Sequence, residues 1–110
     1  MTDTFINAQT VVVATIDTVL YTVPVTTEAI LKITAANIGG TPRTFRIAIR
    51  RNGAVIANQM YLIFDDTLLA NKTYERAGII LTATGGQDIV MVRAAHADVV
   101  FAVYGVEVTP

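Results

Sequence analysis

Apolar and polar side chains alternate with a period of two along much of this chain. Residues 45–50 read Phe-Arg-Ile-Ala-Ile-Arg, and residues 31–35 read Leu-Lys-Ile-Thr-Ala. This is the period of a β-strand, whose successive side chains point to opposite faces. β-branched residues, which strands favour, are frequent throughout, and no segment has a convincing helical period. The pattern therefore predicts an all-β fold.

Turn-forming residues interrupt the alternating segments at short intervals, at residues 39–42, 52–53, 85–88 and 97–98. Asn52-Gly53 is the strongest of these signals, because both residues tolerate positive φ, and it predicts a hairpin. At most one helical turn is expected, at residues 68–71. We expect strands near residues 10–15, 19–23, 28–37, 44–51, 54–57, 59–64, 72–81, 89–95 and 99–108.

The chain has 110 residues and no cysteine. This length suffices for one domain with its own core, which then forms without disulfides or thiolate metal sites. Short strands at this spacing predict a single-domain antiparallel β-sandwich, jelly-roll-like, over residues 10–110. Residues 1–9 are polar, and we expect them to form a flexible N-terminal arm.

Charge and targeting signals argue against several partners. Eight basic and nine acidic residues give a net charge of −1, which provides no long-range attraction to nucleic acid or to an anionic membrane. No secretory signal or membrane-spanning apolar run is evident, so we expect synthesis in the cytoplasm. The basic residues that cluster are too few to follow a phosphate backbone: Arg43, Arg46, Arg50 and Arg51.

The last predicted strand is apolar on both faces, as are residues 89–92. Such a strand is either a well-covered central strand or one whose outer face meets another subunit, and the pattern leaves both readings open. One face carries Val99, Phe101 and Val103 and the other carries Val100, Ala102 and Tyr104, without indicating which is core. We take as candidate oligomer or capsid contacts Val100, Phe101, Val103, Tyr104, Arg46 and Arg50.

Residues that could carry chemistry are sparse. His96 and Asp98 are two positions apart in a predicted turn, without an evident nucleophile. Asp65 and Asp66, with Asn71, could offer oxygen ligands to a hard cation, but their spacing fits no known loop. We therefore expect no enzyme activity, catalytic residue, metal or cofactor. A sugar-binding face is the alternative use of the aromatic residues Tyr21, Tyr61, Tyr74 and Tyr104.

Several segments together resemble small β-sandwich structural proteins of tailed bacteriophages, particularly those of cyanobacteria. They are residues 18–24 (Thr-Val-Leu-Tyr-Thr-Val-Pro), 30–37, 44–50, 68–71 (Leu-Leu-Ala-Asn), 86–88 (Gly-Gln-Asp) and 104–108. The resemblance implies a virion protein, made in the bacterial host cytoplasm. It suggests a capsid cement or decoration protein, a homo-oligomer (dimer or trimer) that stabilises the major capsid protein shell. The alternative is a tail or tail-fibre module that binds a host surface glycan.

Overall fold

The computed structural model describes residues 2–109. They form eight strands, and two short 3-10 turns, Arg51–Gly53 and Asn58–Met60, lie between the fourth and fifth. The strands are β1 (Thr2–Val11), β2 (Thr18–Thr22), β3 (Glu28–Asn37), β4 (Arg43–Arg50), β5 (Tyr61–Leu68), β6 (Thr73–Thr82), β7 (Ile89–Ala94) and β8 (Val99–Thr109).

The strands form two four-stranded antiparallel sheets, ordered β1-β8-β3-β6 and β2-β7-β4-β5. The first strand pairs with the last, the second with the seventh, the third with the sixth and the fourth with the fifth. The eight strands thus pair as the two arms of one long hairpin would. Its four strand pairs lie alternately in the two sheets. This is the jelly-roll arrangement, and it confirms the antiparallel β-sandwich predicted from the sequence.

The core lies between the two sheets and consists of their inward-facing side chains. Phe45 on β4 packs against Phe101 on β8 and Tyr74 on β6, with ring centroids 6.4 and 5.5 Å apart. Apolar side chains from the inner faces of both sheets fill the space around these rings. The largest fully buried ones are Phe45, Phe101, Leu31, Ile33, Ile47, Leu81, Val12, Val23, Val90, Val92, Val99 and Val103.

The structure corrects the predicted N-terminal arm. Residues 2–9 belong to β1, which pairs with β8 without a register shift from Thr2 opposite Thr109 to Val11 opposite Val100. Ile6 and Ala8 pack against the core from this strand. The polar composition that suggested an arm reflects the position of β1 at a sheet edge, where every second side chain faces solvent.

The predicted hairpin at Asn52-Gly53 is corrected in part. Both residues have positive φ, 56° and 68°, so the turn chemistry is confirmed. However, residues 54–57 are not a strand, and β5 begins only at Tyr61. Arg50 explains the difference, because its guanidinium donates to the carbonyls of Gly53 and Ala54 and holds them beside the end of β4. The chain then reaches β5 through a loop instead of a tight turn.

The predicted helical turn at residues 68–71 is also corrected. Leu68 is the last residue of β5, and the chain turns towards β6 immediately afterwards. The Lys72 amide donates to the Leu69 carbonyl, and Asn71 takes a positive φ of 60°. This segment is therefore a β-turn-like connection between two strands.

Candidate functional site

The orientation of β8 decides which of its two apolar faces is core. Phe101 and Val103 are 1% and 0% exposed and point between the sheets, together with Val99. A partner cannot contact these two side chains while the domain is folded, so their assignment as contact residues is corrected. Val100 and Tyr104 point outward and remain candidates, with Tyr104 exposed and Val100 half-buried.

The outer side of the β1-β8-β3-β6 sheet carries an apolar row that crosses all four strands. Phe5 on β1 lies opposite Val106 on β8. Ile30 on β3 lies opposite both Val106 and Ile80 on β6. Directly opposed residues project to the same side of a sheet. Three of the four are strongly exposed, Phe5 at 89%, Ile30 at 55% and Ile80 at 56%.

A second apolar patch lies nearer the other end of the same side. Val11, Val100 and Ala36 are opposed across β1, β8 and β3. A shallow groove opens here between the strands, lined by Gln9, Thr10, Val11, Thr34, Ala36, Val100, Phe101 and Ala102. We call this patch and the row through Ile30 together the outer apolar face; its members are Phe5, Val11, Ile30, Ala36, Ile80, Val100 and Val106.

Polar side chains separate the two apolar patches: Asn7 and Gln9 on β1, Tyr104 on β8, and Lys32 and Thr34 on β3. Tyr104 and Lys32 lie opposite each other on β8 and β3. The Lys32 ammonium is 3.1 Å from the Glu75 carboxylate on β6, and this hydrogen bond raises the lysine pKa. At Lys32, a partner lying on this face would therefore meet a neutral ion pair instead of an isolated charge.

Arg46 and Arg50 lie on the opposite side of the molecule. Both are on β4, which belongs to the β2-β7-β4-β5 sheet, and alternate with inward-pointing residues of that strand. The six residues predicted as one contact surface therefore fall into three places: the core, the outer apolar face and this second outer side. The Arg50 guanidinium already donates hydrogen bonds to the carbonyls of Gly53 and Ala54.

Arg46 forms a compact cluster with residues of β5. Its guanidinium donates two hydrogen bonds to Asp65, at 2.6 and 2.9 Å, and lies 4.1 Å from the Phe64 ring centroid. The Tyr61 ring packs edge-on against Phe64. The paired arginine lowers the pKa of the Asp65 carboxyl, so this ion pair persists in mildly acidic solution.

The four tyrosines do not share a surface. The Tyr21 hydroxyl is half-buried and donates to Glu107. Both features raise the tyrosine pKa, and burial is the larger cause. Tyr74 packs on Phe45, and Tyr61 lies in the Arg46 cluster. Only Tyr104 projects from the outer apolar face. The aromatic platform expected for a sugar site is therefore not assembled from these residues.

The residues considered for chemistry are engaged in local contacts. The His96 Nδ1 accepts a hydrogen bond from the Asp98 amide, and the Asp98 carboxylate pairs with Arg43. Asp65 pairs with Arg46, while Asp66 accepts from the Thr67 amide. Among residues 2–109, no three histidine or carboxylate side chains come together as metal ligands. Over the same residues, no helix is long and apolar enough to cross a membrane.

The chain matches no family model, and no curated protein or solved structure is similar to it. The resemblance to phage structural proteins therefore rests on the sequence segments named above.

Sequence reasoning missed most of the outer apolar face. Phe5 falls in the segment taken for an arm, and Ile30 and Ile80 were counted within ordinary strands. A usable signal was present, since Ile30-Leu31 and Ile79-Ile80-Leu81 place apolar residues on both faces of their strands, as residues 99–104 do. Applying the same test to every strand would have located this side of the sandwich.

Proposed function

We propose that this chain is a virion structural protein, a capsid cement or decoration protein that binds the assembled shell through its outer apolar face. The observation that carries the proposal is the row formed by Phe5, Val106, Ile30 and Ile80, which crosses a whole sheet and is open to solvent. Contiguous apolar surface of this kind is characteristic of protein-binding sites. The phage resemblance supplies the identity of the partner, the major capsid protein.

The size of this face suits a repeated contact of moderate affinity. The whole outer side of the sheet that carries this face, with four strands about 4.8 Å apart and about 33 Å long, presents roughly 600 Å². A specific interface of standard size buries about 800 Å² on each partner, so one copy approaches this value alone. A homo-oligomer that touches several capsid subunits gains effective concentration over each single contact. Such a protein binds the assembled lattice far better than it binds free subunits.

The jelly roll is compatible with this role but does not select it, because the fold occurs in viral capsid proteins and in lectins alike. The tail or tail-fibre alternative needs a glycan site, for which sugar-stacking aromatic rings are the usual requirement. Three of the four tyrosines are engaged elsewhere in the fold, whereas the apolar row runs without a break from Phe5 to Ile80. The geometry therefore favours cement over glycan binding.

The test is co-sedimentation with empty shells of the major capsid protein from the virus that carries the chain. Ile30→Asp places a charge in the middle of the apolar row, and we expect binding to fall at least tenfold. Val19→Asp is the matched control, because Val19 is 51% exposed on β2 of the opposite sheet. We expect this substitution to leave binding unchanged. Circular dichroism verifies that both variants fold.

Two results would contradict the proposal. Shell binding by Ile30→Asp equal to that of the unsubstituted chain would exclude the outer apolar face as the contact. Binding of the unsubstituted chain to host cells or to a glycan array, without binding to shells, would replace cement by the tail alternative.

A further inference from the structure

The edge strand β1 is long, regular and unprotected. It pairs with β8 through ten consecutive residues without a bulge, and its other side is free because β1 is the outermost strand of its sheet. It contains no proline, and Asp3 is its only charged residue. An edge of this kind presents a row of unpaired amide and carbonyl groups to any strand that approaches.

The other three sheet edges carry the features by which proteins block such pairing. β2 has only five residues and a register shift after Val19. β5 has two register shifts in its pairing with β4, and Asp65 in its middle has a positive φ of 52°. β6 shifts register opposite residues 31–33, and Gly78 there has a positive φ of 73°. Bulges and inserted charges disrupt edge-to-edge contact, whereas β1 has no bulge and its one charged residue, Asp3, lies near its end.

We propose that β1 pairs with β1 of a second copy of this chain, antiparallel and about a two-fold axis. The two β1-β8-β3-β6 sheets then become one continuous eight-stranded sheet. A second copy is the occupant that fits best, because an identical strand matches β1 in length and regularity, and a two-fold contact is self-complementary. Charge selects the direction: parallel pairing sets the two Asp3 carboxylates side by side, whereas antiparallel pairing separates them towards opposite ends.

The pairing also has a geometric consequence for the outer apolar face. A two-fold axis perpendicular to the sheet keeps the outer side of both copies on the same side of the joined sheet. Phe5, at the β1 end of the apolar row, then lies near the junction, so the two rows flank one another. The joined face measures roughly 1,200 Å², twice that of one copy. Use of this doubled face to bind a shell rests on the proposed function, whereas the pairing itself does not.

The chain has no cysteine, so every disulfide in a substituted protein reports an introduced pair. Single cysteines are placed in turn at residues 5–9. Only a residue on the two-fold axis lies opposite its own copy, with Cα atoms about 4.5–5.5 Å apart, which is within the Cα range of disulfides. We expect one position, or two neighbouring ones, to give mostly covalent dimer under mild oxidation at micromolar concentration, with yields falling on either side.

Two controls separate this arrangement from other dimers. Lys32→Cys lies at the centre of the outer apolar face and forms dimer only if the sheets pack face to face. Thr73→Cys lies on the opposite sheet edge, β6, and reports edge pairing there. Dimer formed from either control as readily as from β1, or equal yields from all five β1 positions, would overturn the proposal.

The unsubstituted chain provides a test that does not depend on the variants folding. Sedimentation is expected to give a dimer whose population rises with concentration, and about half of the β1 amides are expected to exchange more slowly as the dimer forms, because alternate amides face the free edge. A monomer at all concentrations would overturn the pairing. Shell binding is measured separately: a β1 dimer that ignores shells contradicts only the proposed function, and a monomer that binds shells contradicts only the pairing.

Discussion

Asp88 is a buried carboxylate that joins three loops of the sandwich, and replacing it by asparagine is expected to destabilise the fold. The residue is 1% exposed and accepts hydrogen bonds from the amides of Asn52 and Thr82, at 2.8 and 3.0 Å. The Arg51 guanidinium donates a third, at 2.7 Å. Its own carbonyl accepts from the Val23 amide. The loops after β2, β4 and β6 thus meet at this one residue.

The expected loss follows from these contacts. Asp88→Asn keeps the side-chain shape but replaces one accepting oxygen by an NH₂ group, which faces donors instead of acceptors. A hydrogen bond to a charged group contributes about 1.5–3 kcal/mol, and a buried donor left without an acceptor costs about 1–3 kcal/mol. The Arg51 side chain is largely exposed, so loss of its ion pair adds at most about 1 kcal/mol. We therefore expect a loss of about 3 kcal/mol at neutral pH. For a chain of this length, that lowers Tm by about 13 °C.

The effect is also expected to depend on pH. Burial raises the pKa of the Asp88 carboxyl, but the hydrogen bonds from Thr82, Asn52 and Arg51 outweigh burial, so the folded-state pKa is lowered. A lowered pKa contributes stability above the unfolded value of about 3.9, and this contribution is lost as the pH falls through the folded-state value. The stability difference between the two proteins is therefore largest at pH 7 and shrinks below about pH 4.

Urea unfolding of both proteins from pH 7 to pH 3, followed by circular dichroism, measures this difference directly. Asp17→Asn is the matched control, because Asp17 is partly exposed and lies 3.6 Å from Arg93 in a surface ion pair worth about 1 kcal/mol at most. A loss below about 1 kcal/mol for Asp88→Asn at pH 7, or a difference that stays constant down to pH 3, would refute the account of Asp88 as a loop anchor.

Two other predictions concern the core and a buried amide. Phe101→Asp places a charge between the sheets and is expected to abolish the cooperative unfolding transition, whereas Val100→Asp, one residue away on the outer side, is expected to stay folded within about 1 kcal/mol; equal thermal melts for the two would contradict the orientation of β8. Asn37→Ala removes hydrogen bonds to the carbonyls of Thr41 and Leu68 and from the Gly39 amide, and is expected to lose about 2–3 kcal/mol in urea unfolding; a loss below about 0.5 kcal/mol would exclude an anchoring role.

Sequence pattern was sufficient for strands whose two faces differ in polarity and whose ends carry turn residues. β3 is the clearest case: its predicted bounds, 28–37, agree with the structure, because Pro24 precedes it, alternation runs through it and Gly39-Gly40 follows it. β1 was missed because its polar residues are those of an edge strand. What defines it is its pairing with β8 at the far end of the chain, and no local pattern reports that pairing.

The candidate surface was less predictable than the fold because it depends on which face of each strand is turned inward. Residues 99–104 are apolar on both sides, so periodicity cannot distinguish core from surface. The inward face of β8 is the one that carries Phe101, because its ring packs against Phe45 of the opposite sheet. No sequence pattern indicated the ion pair between Arg46 and Asp65, because the two residues become neighbours only when β4 and β5 pair.

The two outer sides of the sandwich differ in a way that bears on which one meets a partner. Hydrophobic residues make up 53% of the chain and charged residues 15%, against about 25% charged in a typical soluble domain. On the β2-β7-β4-β5 side, the arginines at positions 46 and 93 hold ion pairs with aspartates, and the exposed apolar side chains Val19 and Phe64 lie on its two edge strands. On the β1-β8-β3-β6 side, the apolar residues left over from the core form a continuous row. A row of apolar side chains that crosses every strand of one sheet is better suited to lying flat on another protein than apolar side chains confined to the two edge strands of the other sheet. The alternative, docking through the Arg46 guanidinium, would require breaking its paired hydrogen bonds to Asp65.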